Sequence, residues 1–107
     1  MPKIVGTSQT VVDDGEGSTI KELIGNIASK DDRISIAHTK FVQPSSEHWL
    51  TIDYDEYICM LSGYMTLQHA GGEVQVSAEQ AVFIRKGERF RPVFPGKYVR
   101  KTVFAEM

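Results

Sequence analysis

The chain has 107 residues, 41% hydrophobic, 9% aromatic and 24% charged, which suits one compact domain with its own core and argues against intrinsic disorder. Twelve basic side chains against fourteen acidic ones leave a net charge of −2 and a pI of about 5.9, so no broad basic face for nucleic acid or an anionic membrane is expected. The single Cys59 cannot form an internal disulfide, no window approaches the roughly 20 apolar residues of a membrane span, and Met1 to Gly6 lacks a signal peptide's apolar stretch. A cytoplasmic location is the expectation.

In chain order, the first candidate element is Ser18 to Ile27. Ile20, Leu23, Ile24 and Ile27 sit at helical spacing, and Thr19 with Glu22 would make a capping box. Gly25 weakens that helix, and an extended segment laid along a sheet is the alternative. From residue 33 onward the pattern is that of strands. Arg33 to Val42 alternates Ile34, Ile36 and Val42 against Ser35, Ala37 and Thr39 until Pro44 removes a backbone donor. Tyr57 to Leu61 is apolar throughout and stops at Ser62-Gly63, as a central strand covered on both faces would. Tyr64 to His69 and Glu73 to Ser77 flank Ala70-Gly71-Gly72 and predict a hairpin. Ala81 to Ile84, Phe90 to Phe94 and Tyr98 to Phe104 complete the set. Turns recur about every ten residues, the rhythm of an all-β sandwich or barrel.

The stretch from Trp49 to the C-terminus resembles the cupin superfamily. Glu56, six residues and Gly63 match the end of the first cupin motif, and Arg85 to Phe90 keeps the frame and the Gly87 of the second. Asp53 to Glu56, with Trp49 ahead of it and Val99-Arg100-Lys101 in the last strand, is most similar to the ethanolamine-utilisation, EutQ-like cupins. The resemblance implies a double-stranded β-helix, a jelly-roll barrel formed by residues 31–107, with residues 1–30 as an extended or short helical segment packed on it, in one domain spanning 1–107.

Metal-binding cupins place two His before the Glu and another at the close of the second motif. Here those positions fall on Trp49 and Thr51, or Leu50 and Ile52, and on Phe90, none of which supplies a strong metal-ligating side chain. The resemblance therefore implies a barrel without the usual metal site and no cofactor. Glu56 would point inward, with Ile58 and Met60 on the same face. A carboxylate among apolar walls is a candidate proton donor or acceptor, and an Arg-paired or solvent-facing Glu is the plainer alternative.

Trp49, Phe90 and Tyr98 are candidates for an aromatic rim, and core packing explains them as well. Glu47, His48, Asp53 and Glu56 are the set from which a metal site could be rebuilt. His38 and His69 read as structural or exposed, and Cys59 as a buried inert thiol. Asp53 and Asp55 share one strand face and Glu56 takes the other, so the three acids cannot converge. Arg85, Arg89, Arg91, Arg100 and Lys101 read as surface pairs, although a guanidinium among them could clamp a small carboxylate.

The leading expectation is a small-molecule-binding cupin with Glu56 as polar anchor and candidate acid-base residue, and Trp49, Ile58, Met60, Phe90 and Tyr98 around the ligand. An accessory role in small-molecule catabolism is what the resemblance implies. The alternatives are a metal-dependent enzyme built on Glu47, His48, Asp53 and Glu56, and a non-catalytic dimeric structural module. A homodimer is expected, with no nucleic-acid or membrane partner.

Overall fold

The structure, a computed structural model, describes residues 2–107, which form an all-β barrel of eleven strands. The first sheet has the order β1-β2-β3-β11-β6-β9, where β1 is Gln9–Asp13, β2 Thr19–Ile24, β3 Ile34–Phe41, β6 Asp55–Ser62, β9 Ala81–Ile84 and β11 Val99–Glu106. The second has the order β4-β10-β7-β8, with β4 Ser45–Ser46, β7 Tyr64–His69, β8 Gly72–Ser77 and β10 Arg89–Phe94, and β5, Leu50–Thr51, also pairs with β10. Every pairing is antiparallel.

Period-two alternation decides what faces inward. The first sheet contributes Ile58, Met60, Ile84 and Val99 to the core, and the second contributes Met65, Leu67, Val76, Phe90 and Phe94. Burying each of these large apolar side chains is worth about 1.5–3 kcal/mol, which makes this layer between the sheets the principal source of stability. On β3 the inward face is the one carrying Ala37 and Thr39, small residues that leave space between the sheets.

The reversal from β6 into β7 runs through Gly63 at φ +75, where a Cβ would stand 2.8 Å from the Val99 side chain. Only glycine meets both demands without strain. The predicted hairpin forms as β7 and β8, with the His69 Nδ1 accepting a hydrogen bond from the Gly71 N–H at 3.1 Å.

Of the two readings of residues 18–27, the extended one holds. Thr19–Ile24 is a strand hydrogen-bonded on one side to β1 and on the other to β3, and that pairing overrides the helical spacing of its apolar residues. The capping box does not form. Instead the Glu22 carboxylate accepts the N–H groups of Ile27 and Ala28, both at 3.0 Å, and stabilises the turn that follows the strand. β1 and β2 lie in the sheet itself, and Ile20 reaches the interior, so these two strands are part of the barrel wall. β6 is central, between β11 and β9, but only one of its faces is covered within the chain: Tyr57 and Leu61 are exposed on the other. No helix among the described residues is long and apolar enough to cross a membrane.

Candidate functional site

A cavity of about 320 Å³ lies between the sheets. Its walls are mostly apolar: Ile20 from β2, Ala37 from β3, Leu50, Ile52, Ile58 from β6, Phe90 and Pro92 from β10, and Val103 from β11. Four ionisable side chains reach it, Glu47, Tyr54, Glu56 and Lys101, together with the hydroxyl-bearing Thr39.

The run from Leu50 to Ile58, in which β5 and β6 are joined through a bend at Asp53 and Tyr54, supplies five of the thirteen lining residues. Even-numbered residues face the cavity, so Leu50, Ile52, Tyr54, Glu56 and Ile58 share one side and Trp49, Thr51, Asp53 and Asp55 take the other. The outward side is put to structural use. Asp55 Oδ1 accepts the Lys86 N–H at 2.9 Å, and the Ile52 carbonyl accepts the Gly87 N–H at 2.8 Å, which ties the loop of the second motif to the first.

Lys101 is the residue that sequence reasoning misplaced. Expected in a surface pair, it is only 5% exposed and faces the cavity from the middle of β11. Its Nζ lies 4.8 Å from the ring centroid of Phe94 and 5.9 Å from that of Phe41, within reach of the aromatic faces that attract a cation. Burial holds the ammonium below the usual lysine range, against the opposing pull of Glu47 and Glu56. The alternation Val99, Lys101, Val103, Ala105 carries the signal, since all four share one strand face.

Glu56 sits at the start of β6 and its carboxyl is raised, first by burial and further by Glu47, with Lys101 working the other way. Tyr54 is raised by burial and then by Glu56, Asp53 and Glu47. Among the described residues, Arg33–Asp31 on the surface is the only ion pair within 4.0 Å, so Lys101 and its two acids interact across the cavity and not in contact. Arg91 fixes the Glu47 backbone from outside. Its Nε donates to the Glu47 carbonyl at 2.9 Å, its Nη1 donates to Gln68 Oε1 at 3.2 Å, and the Glu47 N–H donates to the Pro92 carbonyl at 3.1 Å.

Of the candidate ligand-binding residues, Glu56, Ile58 and Phe90 line the cavity, and Met60 is packed deeper in the core. Trp49 and Tyr98 do not form a rim. Trp49 points outward by strand parity, 41% exposed with the Arg89 guanidinium 4.8 Å above its ring, and Tyr98 is 72% exposed at a turn with φ +58. The rebuilt metal set is not assembled either. Glu47 and Glu56 face the cavity while His48 and Asp53 are exposed away from it, and no group of three or more His, Cys, Asp or Glu fit for a metal occurs among the described residues. The inward pair before Glu56 is Leu50 and Ile52, and Phe90 faces them, so the donor set does not fit a first-row metal. His38 lies on the outer face, where its Nε2 accepts from Arg100 Nε at 3.3 Å; burial first, then Arg100, Lys21 and Lys40, lower its pKa.

Two antiparallel sheets closed around a side-chain-lined interior, with Glu56 and Gly63 bracketing the central strand, give this chain the cupin barrel fold. Among solved structures, the chain is similar to the EutQ protein of Clostridium difficile, at 19% identity and TM-score 0.67 over 89% of this chain and 74% of that one. It is also similar to an ethanolamine utilization protein Q from Salmonella typhimurium, at 17% identity and TM-score 0.69 over 98% of both chains. The polyketide cyclase RemF from Streptomyces resistomycificus matches at 25% identity and TM-score 0.73, over 99% of this chain and 80% of that one. No protein-family model matches the chain, and no curated protein matches it.

Proposed function

We propose that the protein binds a small organic molecule inside the barrel, held between the Glu56 carboxyl and the Lys101 ammonium, with Glu56 giving or taking a proton on the bound molecule. The observation that carries this reading is the convergence of one buried base and two carboxylic acids, with the hydroxyl-bearing Tyr54 and Thr39 beside them, on a mostly apolar cavity of about 320 Å³. That volume sits at the lower end of ligand pockets, so the ligand is small. Buried ionisable groups without a contact partner cost stability, and folded proteins retain them chiefly where they serve a site.

The same fold in RemF belongs to a polyketide cyclase, and in the Salmonella typhimurium protein to an ethanolamine utilization protein, which supports acid-base or accessory work on a small metabolite. Glu56 suits the task because burial favours its protonated form, and Lys101 keeps the ionised form within reach. A thermal-shift screen of small acids, amines, aldehydes and sugars tests the proposal. A ligand that raises Tm in the parent and not in Glu56→Gln supports it. A ligand that stabilises both equally places binding elsewhere.

The proposal includes a homodimer formed through the outer face of the first sheet. Tyr57, Leu61 and Phe83 are exposed there, with the Tyr57 ring 4.8 Å from Phe83 and 5.9 Å from Phe104, a contiguous apolar patch of the sort a second copy covers. A lone thiol, Cys59, suits a reducing compartment, and we place the protein in the cytoplasm.

A further inference from the structure

We propose that Lys101 is an amine nucleophile that captures an uncharged aldehyde or ketone in the cavity as an imine. This rests on the cavity being a ligand site, as proposed above, and adds a substrate class and a covalent step to it. Lys101 differs from every other lysine in the chain. Residues 3, 21, 30, 40, 86 and 97 are lysines on the exposed surface, while Lys101 is buried, opens onto the cavity and has no carboxylate within ion-pair distance among the described residues.

A lysine becomes nucleophilic when it is desolvated in an apolar pocket, because the neutral amine carries the lone pair that attacks. The walls around Lys101 supply that setting: Phe94 and Phe41 beside the amine, Val103 along its strand, and Ile58 and Phe90 lining the same cavity. Burial favours the neutral form, and Glu47 and Glu56 resist it. Two acids facing a single base make the cavity unwelcoming to an anionic substrate, which selects an uncharged carbonyl compound.

The step balances without any redox partner. The Nζ lone pair forms a bond to the carbonyl carbon, the carbonyl π pair moves to oxygen, and the nitrogen gives up a proton as the oxygen gains one. Glu56 then protonates the carbinolamine hydroxyl, which leaves as water while the nitrogen lone pair closes the C=N bond. The resulting iminium keeps its N–H proton opposite the Glu56 carboxylate, and passing that proton back to Glu56 gives the neutral imine. Amine and carbonyl become imine and water, with Glu56 restored.

The test is reductive trapping of the intact protein with limiting propanal and cyanoborohydride, read by mass spectrometry of peptides. Lys101 should be alkylated faster than any of the six exposed lysines, as expected of an amine whose neutral form is favoured by burial in an apolar pocket. Glu56→Gln should slow labelling at Lys101 by about 100-fold, the scale of a lost general acid, and leave the surface lysines unchanged. Filling the cavity with Ala37→Leu should also suppress Lys101 labelling alone. Labelling of Lys101 no faster than the surface overturns the imine, and unchanged labelling in Glu56→Gln overturns the proton donor. Propanamide, which has the shape of the probe but forms no imine, separates the two proposals. A Tm rise with propanamide and no Lys101 adduct rejects the imine and keeps the ligand site, whereas neither signal rejects both.

Discussion

Replacing Glu56 and Lys101 together, as Glu56→Gln with Lys101→Met, should make the protein more stable and leave its ligand site inert. Lys101 is 5% exposed, so its methylene stem is already packed, and Met refills nearly the same space with apolar atoms. The packing contribution therefore almost cancels, and what changes is the cost of keeping charge away from water. Exchanging buried charged groups, here facing one another across the cavity without contact, for apolar or neutral groups of similar volume is worth about 1–4 kcal/mol in favour of folding. For a chain of this size that is a rise in Tm of roughly 4–15 °C.

The pH dependence has a definite sign. The folded Lys101 loses its proton below the ordinary 10.5, so the unfolded chain binds more protons between the two values and wild-type stability, relative to Lys101→Met, climbs with pH up to 10.5. Urea unfolding of the parent, the two single variants and the double variant across this range measures it. A double variant less stable than the parent, or a difference between parent and Lys101→Met that does not change with alkaline pH, refutes the placement of a buried, weakly compensated amine.

Glu56→Gln alone has the opposite dependence. With its folded carboxyl raised, the native state binds more protons above the ordinary 4.5, so the parent loses stability relative to the variant as pH rises from there through the folded value. The loss is about 1.4 kcal/mol for every tenfold difference in acidity between the folded and unfolded carboxyl. Urea midpoints from pH 4 to 8 should diverge accordingly, and a parent that gains on the variant contradicts the buried-carboxyl reading. Gly63→Ala should cost about 1–2 kcal/mol for the left-handed backbone, and more for displacing the fully buried Val99, visible as a lower Tm. An unchanged Tm would show that the β6–β7 reversal is not held at positive φ. If the proposed dimer forms through the outer face of the first sheet, light scattering should give a dimer for the parent and a monomer for Leu61→Arg, with the thermal signature of ligand binding unaltered; a variant that stays dimeric, or a monomeric parent, contradicts that interface.

Much of the barrel is legible in the residues. The hairpin around Ala70-Gly71-Gly72 and the strand Ala81–Ile84 follow from turn glycines and apolar alternation, because both elements depend on local chemistry. Ser18 to Ile27 is different. Its apolar spacing satisfies a helix, and only the unpaired edge of β3, invisible to a local pattern, makes it a strand. The cavity is legible through Glu56, Ile58 and Phe90: the resemblance to cupins turns Glu56 inward, and strand parity carries Ile58 with it. That same parity, carried back two positions, places Tyr54 inside and Trp49 outside. Carried along β11 from Val99, it places Lys101 inside, and the charge of Lys101 is what obscures this: lysine is almost never fully buried.

The most direct measurement is a high-resolution crystal structure of the protein with a compound that raises its Tm. Density for that compound is expected between Glu56 and Lys101, in contact with both and walled by Ile58 and Phe90. An interior closed by packed side chains, or a cation gripped there by nitrogen and oxygen donors, would contradict a small-molecule site inside the barrel.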